Sequence, residues 1–191
     1  MSVFVKVDDQ LLQEAIRRAK NLLVFIAPGV RPAVAQTLAQ AMAVLPQDSI
    51  HLVFDVDAEV CRLGYGDSAF KGMEILQQAA ARNGLTVNHQ PGIRLGVLLA
   101  DDATLIYSPT PELIEAESSH ADKPNGVRLQ GPLPVQLAKA CGTGEEELAT
   151  LEIGHDPVSP AEIEAVKSDL LLHAPAASEI YPLALLVALL I

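Results

Sequence analysis

The stretch NLLVFIAP at residues 21–28 constrains the fold more than any other. Leu22 to Ala27 are all apolar, and Pro28-Gly29 closes the run. A short continuous apolar run bounded by turn residues reads as a strand buried on both faces. A second such run follows in SIHLVFDVD, residues 49–57. Between them Pro32 fits the first turn of a helix, and Val34, Leu38, Ala41, Met42 and Leu45 share its inner face. Two doubly buried strands joined through a helix imply a right-handed crossover and parallel pairing.

The flanking segments extend this alternation. VFVKV (residues 3–7) reads as an opening strand. Asp8 or Asp9 can cap a helix whose apolar positions Leu11, Leu12, Ala15, Ile16 and Ala19 follow the 3.6 period. Another helix is expected from about Ser68 to Arg82, with Phe70, Met73, Leu76 and Ala80 inward and Asn83-Gly84 as a left-handed stop. LTVNH (85–89) is a further strand. Then Ile93, Leu95, Val97 and Leu99 alternate with Arg94, Gly96, Leu98 and Ala100. Asp101-Asp102 makes a turn, and Thr104, Ile106 and Ser108 line one face of the return strand. Residues 1–110 thus read β-α-β-α-β-α-β-β-β. The expected class is α/β, with a mostly parallel or mixed sheet flanked by helices on both faces.

The pattern changes after Ser108. Residues 1–118 are expected to form the α/β domain, and 119–191 a mainly helical C-terminal region. VRLQ (127–130) reads as a short strand. PVQLAKACG (134–142) and EEELATLEIG (145–154) read as short helices. Ser159-Pro160-Ala161-Glu162 is a capping box opening a helix to about His173. Residues 182–191 are apolar throughout. Ten residues are too few to span a bilayer, which needs about 20. A buried terminal element, an interface element or the stump of a longer parent chain are the expectations for this run.

Charge narrows the function classes. The 13 basic and 24 acidic residues give a formal net charge of −11. Such a surface repels phosphate backbones, so broad nucleic-acid binding is not expected. Arg17, Arg18 and Lys20 cluster, and they read as a solvated helix face. Cys61 and Cys141 form neither a disulfide framework nor a metal spacing. Cys141 falls at a helix C-terminus, which raises a thiol's pKa and suits packing better than reactivity. The start MSVFVKVDDQ lacks a signal-peptide pattern, so a cytoplasmic location is expected.

Catalytic motifs are scarce. His51, His89, His120, His155 and His173 include no pair at helical metal spacing. No nucleophile elbow, dinucleotide fingerprint or phosphate-binding Gly-Lys-Ser/Thr loop is present. Asp55 and Asp57 lie at the end of a buried strand, where open α/β sheets place their sites. That spacing resembles the haloacid-dehalogenase-type phosphotransferases. There the first aspartate is a nucleophile and both help hold Mg²⁺. Lys71 and Gly66-Asp67 are too close in sequence to supply that family's downstream lysine and acidic cluster.

The hairpin IRLGVLLADDATLIYSPTP, residues 93–111, together with the element order before it, resembles the phospholipase D superfamily over roughly residues 8–115. That family carries His-x-Lys on the first hairpin strand, then an aspartate and a Gly-Ser or similar pair. Its histidine attacks phosphorus and its lysine neutralises the phosphate. The resemblance puts Arg94 at the histidine, Gly96 at the lysine, Asp101 at the aspartate, and Ser108 and Pro109 at the final pair. Arginine stays protonated and is no nucleophile. His89 lies too far upstream in sequence to be an expected substitute. The resemblance therefore implies a degenerate, non-catalytic domain with no cofactor. Its role would be structural, regulatory or protein-binding, as a homodimer or beside a second domain. Arg94, Asp101 and Ser108 remain as candidate binding residues, with Arg94 able to hold an anion or to pair with Asp101 or Asp102. A Mg²⁺-dependent phosphohydrolase using Asp55 and Asp57, or a remnant phosphate or phospholipid binder, are the alternatives.

Overall fold

The two apolar runs become adjacent parallel strands, β2 (Leu23–Ala27) and β3 (Ile50–Phe54), paired from Leu23 against Ile50 to Ala27 against Phe54. In this computed structural model the described residues are 3–57, 66–109, 124–132, 134–141, 153–154 and 156–172. Every residue of β2 is buried, as expected for a strand covered on both sides. Alternation divides the two runs between two cores. Leu23, Phe25, Leu52 and Phe54 enter the larger one, and Val24, Ile26 and Val53 the smaller. Phe25 and Phe54 meet with ring centroids 5.7 Å apart. Such a contact adds about 0.5–1.5 kcal/mol beyond the area it buries.

Helix α1 (Asp9–Arg18) starts where expected, with the Asp8 carboxylate accepting from the Leu11 N–H at 3.0 Å. Helix α2 (Pro32–Met42) has its proline in the first turn. Helix α3 (Gly66–Asn83) ends at Gly84, whose φ of +66° supplies the left-handed stop. It presses on the loop after β2 so closely that a Cβ on Gly72 would stand 2.1 Å from the Val30 carbonyl oxygen. Strand β4 (Val87–His89) then pairs parallel to β3.

The hairpin is present, as β5 (Gly96–Ala100) and β6 (Ala103–Tyr107) joined by Asp101-Asp102. Strand β5 lies antiparallel against β2. Among the described residues eight strands run in the order β1-β7-β6-β5-β2-β3-β4-β8, with β1 at Phe4–Val5, β7 at Gly126–Gln130 and β8 at Asp156–Pro157. Of these ladders, β2–β3 and β3–β4 are parallel and the rest antiparallel. The sheet is therefore mixed, and the mostly parallel alternative does not hold. The hairpin and both sheet ends add antiparallel partners that local periodicity does not reveal.

Among the described residues the two faces are covered unequally. Residues of α1, α2 and α3 share the larger core, together with Ile163 of α5 (Pro160–Leu172). The opposite face carries the short α4 (Val135–Ala140), whose Leu137 packs with Cys141 and Ile153 over Val24, Ile26, Val53 and Leu99. The C-terminal region, expected to be mainly helical with VRLQ as a strand, contributes two strands to the sheet. Strand β7 pairs with β6 across the expected boundary at 118, and β8 extends the sheet beyond β4. Residues 182–191, Cys61, His120, His155, His173 and most of the expected 145–154 helix lie outside the described residues. Among the described residues no helix is long and apolar enough to cross a membrane.

Candidate functional site

Asp55 is the first residue beyond β3, and its side chain is only 3% exposed. A carboxylate that deep requires partners. Gly92 donates its backbone N–H to Oδ2 at 2.9 Å, from a turn with φ of +81° that favours glycine. Arg94 donates from Nη1 to the same oxygen at 2.9 Å, and Nη1 also reaches the Ile93 carbonyl at 2.9 Å. On the other side, His89 Nε2 lies 3.9 Å from Asp55 Oδ1. The far nitrogen of that ring, Nδ1, lies 3.9 Å from Glu162 Oε1 on α5. A polar line thus runs Arg94–Asp55–His89–Glu162 across the ends of β3 and β4. Glu162 is also half of the capping box. It accepts from the Ser159 N–H at 2.7 Å while its own N–H donates to the Ser159 hydroxyl at 3.2 Å. The bonds to Ser159, aided by His89, hold the Glu162 carboxyl below the usual carboxylate range.

This geometry joins residues that the sequence presents as parts of separate sites. Asp55 and Arg94 are 39 positions apart and form one ion pair. Arg94 pairs with neither Asp101 nor Asp102. His89, too distant in sequence to be an expected participant, approaches the same carboxylate. The missed signal is parallel pairing itself. It brings the ends of β3 and β4 side by side, so an acid closing one strand meets the loop leaving the next. Asp57 follows on the exposed side. Among the described residues no three His, Cys, Asp or Glu side chains group as metal ligands.

Asp101 lies at the opposite end of β5, about 20 Å from Arg94 at ordinary strand rise. Its carboxylate accepts from the backbone N–H groups of Lys20, Asn21 and Leu22 at 2.9, 2.8 and 3.0 Å. Its own φ is +51°. Partial burial pushes its pKa up, but those three bonds and the Lys20 charge outweigh it and leave the carboxyl below its usual value. Asp101 thus ties the hairpin turn to the segment between α1 and β2. Ser108 is at the Arg94 end of the hairpin. Its N–H donates to the Asn125 carbonyl at 2.9 Å, and its carbonyl accepts from Asn125 Nδ2 at 3.0 Å. Arg94 and Gly96 were expected to alternate along one strand, yet β5 begins only at Gly96. A Cβ on Gly96 would stand 2.2 Å from Cζ of Tyr107, the residue paired with it across the hairpin. The Tyr107 ring occupies the space that a side chain at 96 would need.

Beside the polar line lies a groove of about 570 Å³ on the sheet face that carries α4. Ile26, Ile93, Val97, Leu137, Cys141 and Ile153 line its apolar part, and Arg94 stands at its edge. Gln90 closes one end by accepting from the Gly154 N–H at 3.2 Å. His51 lies apart from this groove on β3. Burial pushes its pKa down, with the Ile153 backbone opposing. A scan against protein-family models and searches of curated proteins and of solved structures returned no match.

Proposed function

We propose that this chain is a cytoplasmic, non-catalytic, phospholipase D-like domain with a structural, regulatory or binding role. The observation carrying this reading is the Tyr107 ring over Gly96. Where the resemblance calls for a phosphate-neutralising lysine, any side chain would collide with the Tyr107 ring as it stands. Arg94, at the nucleophile's place, is held by Asp55, and a guanidinium is no nucleophile. The covalent route through a phosphohistidine then lacks both of its participants.

A binding role has support on the sheet face that carries the groove. Cross-strand register puts Phe4, Val127, Ile106 and Val97 in one row, with Leu129 beside it. Phe4 is 67% exposed and Leu129 42%. This apolar row supports a homodimer, or a partner domain laid on the same face. Light scattering checks the association: a strict monomer at high concentration removes the homodimer.

Turnover of bis(p-nitrophenyl) phosphate and p-nitrophenyl phosphate, with and without Mg²⁺, tests the absence of catalysis. No turnover above buffer is expected. Diesterase activity lost in His89→Ala would overturn the reading. Mg²⁺-dependent monoesterase activity lost in Asp55→Asn would replace it with the phosphohydrolase alternative.

A further inference from the structure

We infer that the groove over β2 and β5 binds a monocarboxylate with a single apolar tail, of the medium-chain fatty-acid class. This names a ligand for the binding role proposed above and rests on that reading. Three observations converge. The groove's volume of about 570 Å³ lies within the range of small-molecule sites, and its walls are mainly aliphatic, with Gln90, Arg94 and Cys141 as the polar or sulfur-bearing exceptions. Its edge carries a cation, Arg94, whose side chain is 62% exposed. Two hydrogen bonds fix that cation in place, and both use Nη1.

The division of labour within the guanidinium carries the argument furthest. Nη1 is committed to Asp55 and to the Ile93 carbonyl. Nε and Nη2 carry no hydrogen bond among the described residues. Anchoring one nitrogen lowers the entropy lost when the others engage an anion, and the planar fork matches a carboxylate with two parallel bonds. Charge then selects among anions. Asp55 already offsets the Arg94 charge, and the chain as a whole carries −11. A dianionic phosphate monoester would meet net repulsion, whereas a monoanion meets a near-neutral site with well-placed donors. The tail replaces water along Ile26, Val97 and Leu137, where burial contributes in proportion to apolar area.

Calorimetric titration of the full chain tests this, with sodium dodecanoate below its micelle concentration as the probe. Acetate, dodecan-1-ol and dodecyl phosphate are the comparisons. Saturable binding of dodecanoate at one site per chain is expected, with no measurable binding of acetate and weaker binding of the other two. Arg94→Gln keeps an amide donor for Asp55 but removes the charge, and should weaken dodecanoate about tenfold or more. Val97→Trp fills the groove without touching Arg94 and should abolish binding. Far-UV circular dichroism confirms that both variants are folded. The inference is overturned if dodecanoate does not bind, if dodecyl phosphate binds more tightly, or if both folded variants bind like the parent chain. None of these outcomes bears on the absence of turnover, which the phosphate-ester assays read separately.

Discussion

Replacing Asp101 tests how much of this fold depends on one turn residue. Its carboxylate accepts three backbone N–H bonds from Lys20, Asn21 and Leu22. A hydrogen bond to a charged group contributes about 1.5–3 kcal/mol. The site is partly open, so water replaces some of what is lost, and bonds sharing one acceptor do not add in full. Asp101→Gly keeps the backbone free to adopt its φ of +51° and removes all three bonds. It should cost about 2–3 kcal/mol, or about 4–12 °C in Tm for a chain of this size. Asp101→Ala loses the same bonds and also forces a Cβ into the left-handed region, for about 1 kcal/mol more. Asp101→Asn tolerates that conformation and keeps one oxygen acceptor, so it should cost least. Urea denaturation at constant m reads the ranking. The chain has no tryptophan, so far-UV circular dichroism is the signal to follow. The pH dependence has a definite sign. The folded carboxyl sits below its usual value, so its contribution is present above an unfolded pKa of about 3.9 and lost as pH falls through the folded one. The gap between parent and Asp101→Gly should be constant from pH 7 to 5 and narrow at lower pH. Three variants within 0.5 kcal/mol of the parent, or a gap unchanged at pH 3, would refute the reasoning.

Other substitutions probe the remaining contacts. Gly96→Ala drives a Cβ into the Tyr107 ring and should cost about 2 kcal/mol or more by overpacking, read as a lower urea midpoint. Asn125→Ala removes the bonds that its side chain makes to the Val7 N–H, the Val7 carbonyl and the Ser108 carbonyl, and should cost about 2–3 kcal/mol, read the same way. Ser159→Ala breaks the cap of α5 and should cost about 1 kcal/mol, with faster amide exchange in the first turn of that helix.

Much of the fold was legible wherever a local pattern dictates structure. The apolar runs became β2 and β3, Asp8 capped α1, Gly84 ended α3, and Asp101-Asp102 turned the hairpin. VRLQ was legible as a strand, but its place between β6 and β1 was not. Pairing is decided by which backbone edges remain open, and no residue in VRLQ records that. Strand β8 is two residues long, one of them proline, and offers no alternation to read. The candidate site was half legible. Asp55 and Arg94 were both identified, but Asp55 was expected to act with Asp57, and Arg94 with the hairpin turn. Their actual pairing depends on β4 running parallel beside β3, a non-local fact. His89 became relevant through the same pairing.

The outermost strands, β1 and β8, have two residues each, and β8 contains Pro157, which has no N–H to offer. Among the described residues, another chain seeking to extend this sheet would find only a two-residue strand at either margin. Short edges of this kind offer little template for growth by strand addition, the route to fibrils and runaway edge-to-edge stacking. An association that used this sheet would lay a partner across its face instead of lengthening it at the edge.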